Sequence, residues 1–239
     1  MRSLIVIGTS AVLFVAACVH EGASPADDAT PAISATQNIV AHGNEPGWRV
    51  TIGADQSDFV LDYGERTFSA PTPAPEMTDT SAIYRYADTD LTLTISDVNC
   101  ADDMSGMPYP KTALLEEGGR SLNGCAGETV NLLIGEEWVV EDIGGGGVID
   151  FARTSMLFGD DGKVSGSGAC NRFGGTYALT GEGLSFGPIA ATKKACPPAV
   201  MDQENRFFDA IEITDRFEID DTGALILIGA DQPLLTARR

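Results

Sequence analysis

The chain has 239 residues with 15 basic and 35 acidic side chains, a formal net charge of −20. Such a charge repels nucleic acid phosphates and anionic lipid surfaces, so both are poor partners for the folded surface. Only two histidines are present, His20 and His42, which leaves few bases for hydrolytic chemistry.

The N-terminus carries export signals. Arg2 supplies a positive start and Leu4 to Ala17 is a nearly unbroken apolar run of fourteen residues. That is short of the ~20 needed to span a bilayer as a helix. Val15-Ala16-Ala17-Cys18 at its end resembles a bacterial lipobox. The resemblance implies removal of residues 1–17 as a lipoprotein signal peptide, a lipid on Cys18, and a cell-envelope protein held to the membrane through that lipid. Val19 follows the cysteine. The absence of Asp there favours an outer-membrane location facing the periplasm. Cleavage removes Arg2 and leaves 14 basic against 35 acidic residues, a span suited to one large or two small domains.

Residues 18–41 are rich in Ala, Ser, Thr, Pro and Asp without an apolar period, and read as a flexible, lipid-anchored tether. Residues 42–130 read as a first β-rich domain. Trp48 to Ile52, Phe59 to Tyr63, Ile83 to Tyr86, Leu91 to Ile95 and Lys111 to Glu116 alternate in the manner of half-buried strands. Residues 131–239 read as a second. Glu137 to Glu141, Met156 to Phe158, Lys163 to Gly166, Thr176 to Leu179, Leu184 to Phe186, Phe217 to Ile219, Leu225 to Ile228 and Leu234-Leu235 are its strands. Gly144 to Gly147 is a flexible loop. One helix is expected after Pro197-Pro198, with Val200, Glu204, Phe207, Phe208 and Ile211 on one side. The fold class is therefore mainly β with one packed helix. It is built as two small antiparallel barrel-like or sandwich domains in tandem.

Apart from Cys18 there are four cysteines, Cys100, Cys125, Cys170 and Cys196. An even number in an oxidising compartment suggests two disulfides. Three pairings are possible, and spacing favours Cys100–Cys125 and Cys170–Cys196. Each closes a loop of about 26 residues, worth roughly 3.5 kcal/mol in the chain-entropy model. Zinc is the rival reading, but no C-x-x-C pair and almost no histidine support it.

Gly166 to Tyr177, reading GSGACNRFGGTY, resembles the G-x-x-G-C-N-x-F-x-G-x-Y signature of META domains, the HslJ-like heat-shock lipoproteins. Thr192-Lys193-Lys194-Ala195-Cys196 is similar to that family's T-x-x-A-C, and Trp138 stands where its first-strand tryptophan does. The resemblance runs from about Leu132 to Arg239. Ala169 stands where the family usually has Gly, which implies a less permissive backbone there. The resemblance implies a small barrel-type fold with a packed helix, and a link to envelope stress and tolerance of some antibiotics. It brings no catalytic residue. Upstream, Gly43 to Trp48 together with Cys100-x-Asp102-x-Met104-Ser105-Gly106 resembles an uncharacterised envelope domain found beside META domains, with no activity attached.

No catalytic constellation is legible. The serines lack a nucleophile-elbow context, the glycine loop lacks P-loop features, and His20 and His42 fall in or at the end of the tether. Asp102-Asp103, Asp160-Asp161-Gly162 and Asp221-Thr222-Gly223 read as turns, not calcium loops. No cofactor or metal is expected. Asn171, Arg172 and Phe173 form a candidate contact patch, against a structural role for Asn171 beside the disulfide. Glu204 reads as the acceptor for a buried donor. The expectation is a non-enzymatic, lipid-anchored envelope protein that acts through an unidentified protein partner. An inhibitor of lysozyme or a protease, or a small-molecule carrier, are the alternatives.

Overall fold

The computed structural model describes residues 38–181 and 183–239. The signal, Cys18 and most of the tether lie outside the described residues. The first half contains β1 (Ile39–Asn44), β2 (Gly47–Ile52), β3 (Gln56–Leu61), β4 (Arg66–Pro71), β5 (Glu76–Met77), β6 (Ser81–Tyr86), β7 (Leu91–Ser96), β8 (Cys100–Ala101), β9 (Pro108–Tyr109), β10 (Lys111–Glu117) and β11 (Arg120–Ala126). The second contains β12 (Trp138–Ile143), β13 (Thr154–Phe158), β14 (Lys163–Gly168), β15 (Arg172–Thr180), β16 (Gly183–Phe186), β17 (Ala190–Ala191), α1 (Pro198–Glu212), β18 (Arg216–Ile219), β19 (Leu225–Gly229) and β20 (Gln232–Arg238).

Each half is one curled antiparallel sheet. The first runs β4-β3-β2-β1-β11-β10-β7-β6-β5, with β8 and β9 paired apart from it. Alternation places Ser57, Phe59 and Leu61 of β3, and Leu91, Leu93 and Ile95 of β7, on the inner face. Phe59 stacks on Phe68 at 4.8 Å and meets Tyr86 edge-on at 4.9 Å. The Tyr86 hydroxyl donates to the buried Ser57 Oγ across the interior, at 2.8 Å. Trp48 packs against Gly43 of β1 and Gly124 of the adjacent β11, donating from Nε1 to the Asn123 carbonyl at 3.2 Å. A Cβ on Gly43 would fall 2.3 Å from that indole nitrogen, and one on Gly124 would fall 2.7 Å from the ring. Both positions must therefore be glycine.

The second sheet runs β16-β15-β14-β13-β12-β20-β19-β18, with β17 also on β15. Its ends come together where the Leu184 amide donates to the Asp215 carbonyl at 3.0 Å. Trp138, Met156, Phe158, Phe173, Phe207, Phe217 and Leu227 fill the core. The helix starts with Pro198 in its first turn, where a missing N–H costs nothing. Val200, Gln203, Glu204, Phe207, Ala210 and Ile211 are its buried residues. The hairpin between Cys100 and Tyr109 belongs to the first half by sequence, yet Met107 and Tyr109 pack with the second core.

Several expectations change. The strand β1 begins at Ile39, inside the segment read as tether, and Ala41 is fully buried. The strand read through Tyr63 stops at Leu61, because Asp62 and Tyr63 both turn left-handed at φ 50° and 58°. The four-glycine loop is pinned: the Asp142 carboxylate accepts from the Gly145 and Gly147 amides at 2.7 and 2.8 Å. A bulge in β12 between Val140 and Asp142 sets that carboxylate in place.

Candidate functional site

Two polar centres stand out, one beside each disulfide. Both bridges are formed as the spacing suggested, Cys100–Cys125 and Cys170–Cys196.

In the second half, β14 ends and β15 begins around Ala169-Cys170-Asn171. Ala169 holds φ 113°. The backbone therefore keeps the glycine-like conformation even though the residue has a Cβ, a strained state that needs outside support. Glu204 supplies it from the helix. One of its oxygens accepts from the Cys170 and Asn171 amides at 3.1 and 2.6 Å, the other from the Asn171 side-chain NH₂ at 2.7 Å. The Asn171 Oδ1 in turn accepts from the Thr192 hydroxyl at 2.8 Å and the Lys194 amide at 2.7 Å. Asn171 and Glu204 are 2% and 4% exposed, so this network satisfies groups that water cannot reach. Gln203, which the sequence reading overlooked, does the same one position earlier. It accepts from the Ile149 amide and donates to the Ala152 carbonyl and Thr154 hydroxyl.

This arrangement corrects the candidate contact patch. Asn171 is an internal strut, and Phe173 is buried against Phe207 and Phe208. Arg172 alone of the three faces solvent. Its backbone carbonyl accepts from the Thr192 amide at 3.0 Å, which sets it beside the exposed Lys193 and Lys194. Among the described residues these three cations form no ion pair. The other basic residues of this half are engaged: Arg153 with Glu137, Lys163 with Asp161, Arg206 with Asp202, Arg216 with Asp231, Arg238 with Glu141. Arg239 lies 4.2 Å above the Trp138 ring. A groove of about 420 Å³ lies between the Phe186–Ala191 segment and Phe208, Ile211 and Glu212 of the helix, and none of the three cations lines it.

In the first half, His42 is a member of β1 and not of a tether. Its ring meets Tyr109 edge-on at 4.7 Å and its Nε2 lies 3.7 Å from Asp102. Burial, then Arg49, hold its pKa below the ordinary imidazole value against the opposing pull of Asp102 and Glu128. Asp102 experiences an upward push from burial. That push is outweighed by hydrogen bonds from the Ser105 amide and hydroxyl, the Asn44 side chain and the Met104 amide, which bring it to about 2. The Ser105 hydroxyl donates to Asp102 at 2.7 Å. The carboxylate thus stands between serine and histidine, whereas a hydrolytic triad needs the imidazole in the middle. Asp102 therefore acts as the cap of its own turn. Asp161 and Asp220 do likewise, accepting from the Lys163 and Thr222 amides at 3.1 and 2.8 Å. Among the described residues no group of three His, Cys, Asp or Glu side chains converges on a metal position.

Residues 131–239 match the model of the META domain. Comparison with curated proteins finds no match. Among solved structures the chain is similar to an NMR structure of a protein from Burkholderia xenovorans, at 26% identity and a TM-score of 0.38, covering 46% of this chain and 84% of that one. A second NMR structure matches at 26% identity and a TM-score of 0.38, covering 45% of this chain and 92% of the other.

Proposed function

We propose, from the premise that residues 131–239 are a META domain, that the protein is a non-enzymatic envelope lipoprotein. It is anchored through Cys18 and supports envelope integrity, and with it stress and antibiotic tolerance, by binding a protein partner. The observation that carries this reading is the basic corner. Arg172, Lys193 and Lys194 are exposed and unpaired among the described residues, on a backbone fixed by the Cys170–Cys196 bridge and the Asn171–Glu204 network. Loops held rigid while leaving their charges free suit recognition, because little ordering entropy is lost on contact. The placement of Asp102 between Ser105 and His42 supports a non-enzymatic role.

The reading is tested by complementation of a strain lacking the gene, grown with detergent or antibiotic. The unaltered gene restores tolerance. Cys18→Ser and the combined Arg172→Glu, Lys193→Glu, Lys194→Glu variant, each secreted at normal level, do not. Full rescue by both variants would overturn the anchoring and binding claims. Unchanged tolerance on loss of the gene would overturn the envelope role itself.

A further inference from the structure

The groove of the second half has one wall in the Phe186–Ala191 segment and the other in Phe208, Ile211 and Glu212, the last turns of the helix. The Leu184 amide donates to the Asp215 carbonyl at 3.0 Å, which ties the strand that leads into the first wall to the chain leaving the helix. The volume of about 420 Å³ falls among small-molecule sites. Its lining is apolar except at one point, and three features of that lining carry a sign. Glu212 is the only charged lining residue. It is exposed, and among the described residues its carboxylate has no ion pair or hydrogen bond. It is also the final residue of the helix, where unsatisfied carbonyls gather partial negative charge. No basic residue stands in that last turn to offset it. Finally, two half-buried rings, Phe186 and Phe208, line the groove, and the face of an aromatic ring is its negative side. All three features are negative, and no basic side chain lines the groove.

We infer that this groove binds a small organic cation with an apolar body, an alkylated ammonium whose head lies beside Glu212 and the helix C-terminus and whose body lies against Phe186, Ile189, Phe208 and Ile211. Charge decides the class of occupant. An anionic amphiphile would meet Glu212 and the negative helix pole with no basic lining residue to offset them. A cation meets local attraction there, and the long-range field of a chain of net charge −20 adds to it. Alkyl groups on the nitrogen suit the walls, because they spread the charge over an apolar surface that packs on aromatic rings. This site goes beyond the partner-binding reading and does not depend on it. Purified protein decides the one, and tolerance of living cells decides the other.

The test is calorimetric titration of the secreted Cys18→Ser protein, which carries no acyl groups of its own, with decyltrimethylammonium below its micellar concentration. Decanoate serves as the chain-matched anion. Saturable one-to-one binding of the cation, at least about tenfold tighter than the anion, is expected. Glu212→Gln should weaken the cation by about fivefold. Glu116→Gln, at an exposed position of β10 in the first half, changes the net charge equally and should leave the affinity as it is. Ala191→Trp, which fills the groove from an exposed position, should weaken the cation by about tenfold or more with an unchanged unfolding midpoint. Non-saturable binding, equal affinity for the two amphiphiles, equal losses in Glu212→Gln and Glu116→Gln, or unaltered affinity in Ala191→Trp would overturn the inference.

Discussion

The two halves solve the same problem differently. Each is a curled antiparallel sheet with a disulfide closing a short stretch of chain, separations of 25 and 26 residues, and each sets a carboxylate beside its bridge. In the second half that carboxylate is Glu204, buried and spent on three internal donors. In the first it is Asp102, which caps an exposed turn and faces a titratable His42. A carboxylate beside a disulfide therefore serves as a rigid strut in one half and as the cap of a turn facing an imidazole in the other. Burial of the acceptor, and the number of donors it serves, makes the difference.

That contrast predicts unequal losses. Glu204→Ala strands the Cys170 and Asn171 amides and the Asn171 NH₂, at about 1–3 kcal/mol for each buried donor left unmade. It should cost about 4 kcal/mol by urea unfolding and raise amide exchange at Cys170 and Asn171. Asp102→Ala leaves donors that water can reach, and should cost less than half as much. Equal losses would erase the distinction between strut and cap.

The disulfides sharpen it next. Chain entropy alone assigns the two bridges nearly the same value, about 3.5 kcal/mol each. Cys170→Ser/Cys196→Ser should lose about that amount. Cys100→Ser/Cys125→Ser should lose it and also loosen the hairpin that carries Met107 and Tyr109 to the second core. That would show as faster exchange at Met107 together with the second-half residues around it.

A pH titration comes third. The folded state keeps His42 neutral below the pH at which the unfolded chain takes up its proton, about 6.5. Fewer protons are bound in the native state, so stability falls as pH drops below about 6.5. Asp102 adds nothing to that slope. Its pKa of about 2 lies below its unfolded value, so its stabilisation is present above about pH 4 and is lost only as pH falls toward 2. Urea midpoints at pH 7 and pH 5 should therefore converge in His42→Gln. An undiminished difference would place the acid sensitivity elsewhere. The smallest effect is Ala169→Gly, which relieves a side chain held at φ 113° and should stabilise by about 1 kcal/mol.

Much of the framework was legible in the residues. Period-2 alternation marked β2, β6, β7 and most strands of the second half, helical spacing marked the buried side of α1, and cysteine spacing marked both bridges. Glu204 was legible because a carboxylate on an apolar helix side needs a donor. Four strands of the first sheet, β1, β4, β5 and β11, were not. Arg66–Pro71 carries one large apolar residue, Phe68, at a sheet edge, and Arg120–Ala126 is dominated by small residues that let Trp48 approach. His42 was misplaced for a related reason. Ile39 and Val40 follow a polar tract, and only their pairing with β2 and β11 identifies them as strand. The groove was invisible, since it forms where the β16–β17 connection passes the helix, an approach no local pattern encodes.

The most direct test of the binding role is site-specific photocrosslinking in growing cells. A photoreactive side chain would replace Arg172, with Leu157 on an outer strand position as the control site. The account predicts one discrete adduct with an envelope protein from position 172, absent from position 157 and lost when Lys193 and Lys194 are changed to Glu. No adduct from position 172, or the same products from both positions, would contradict it.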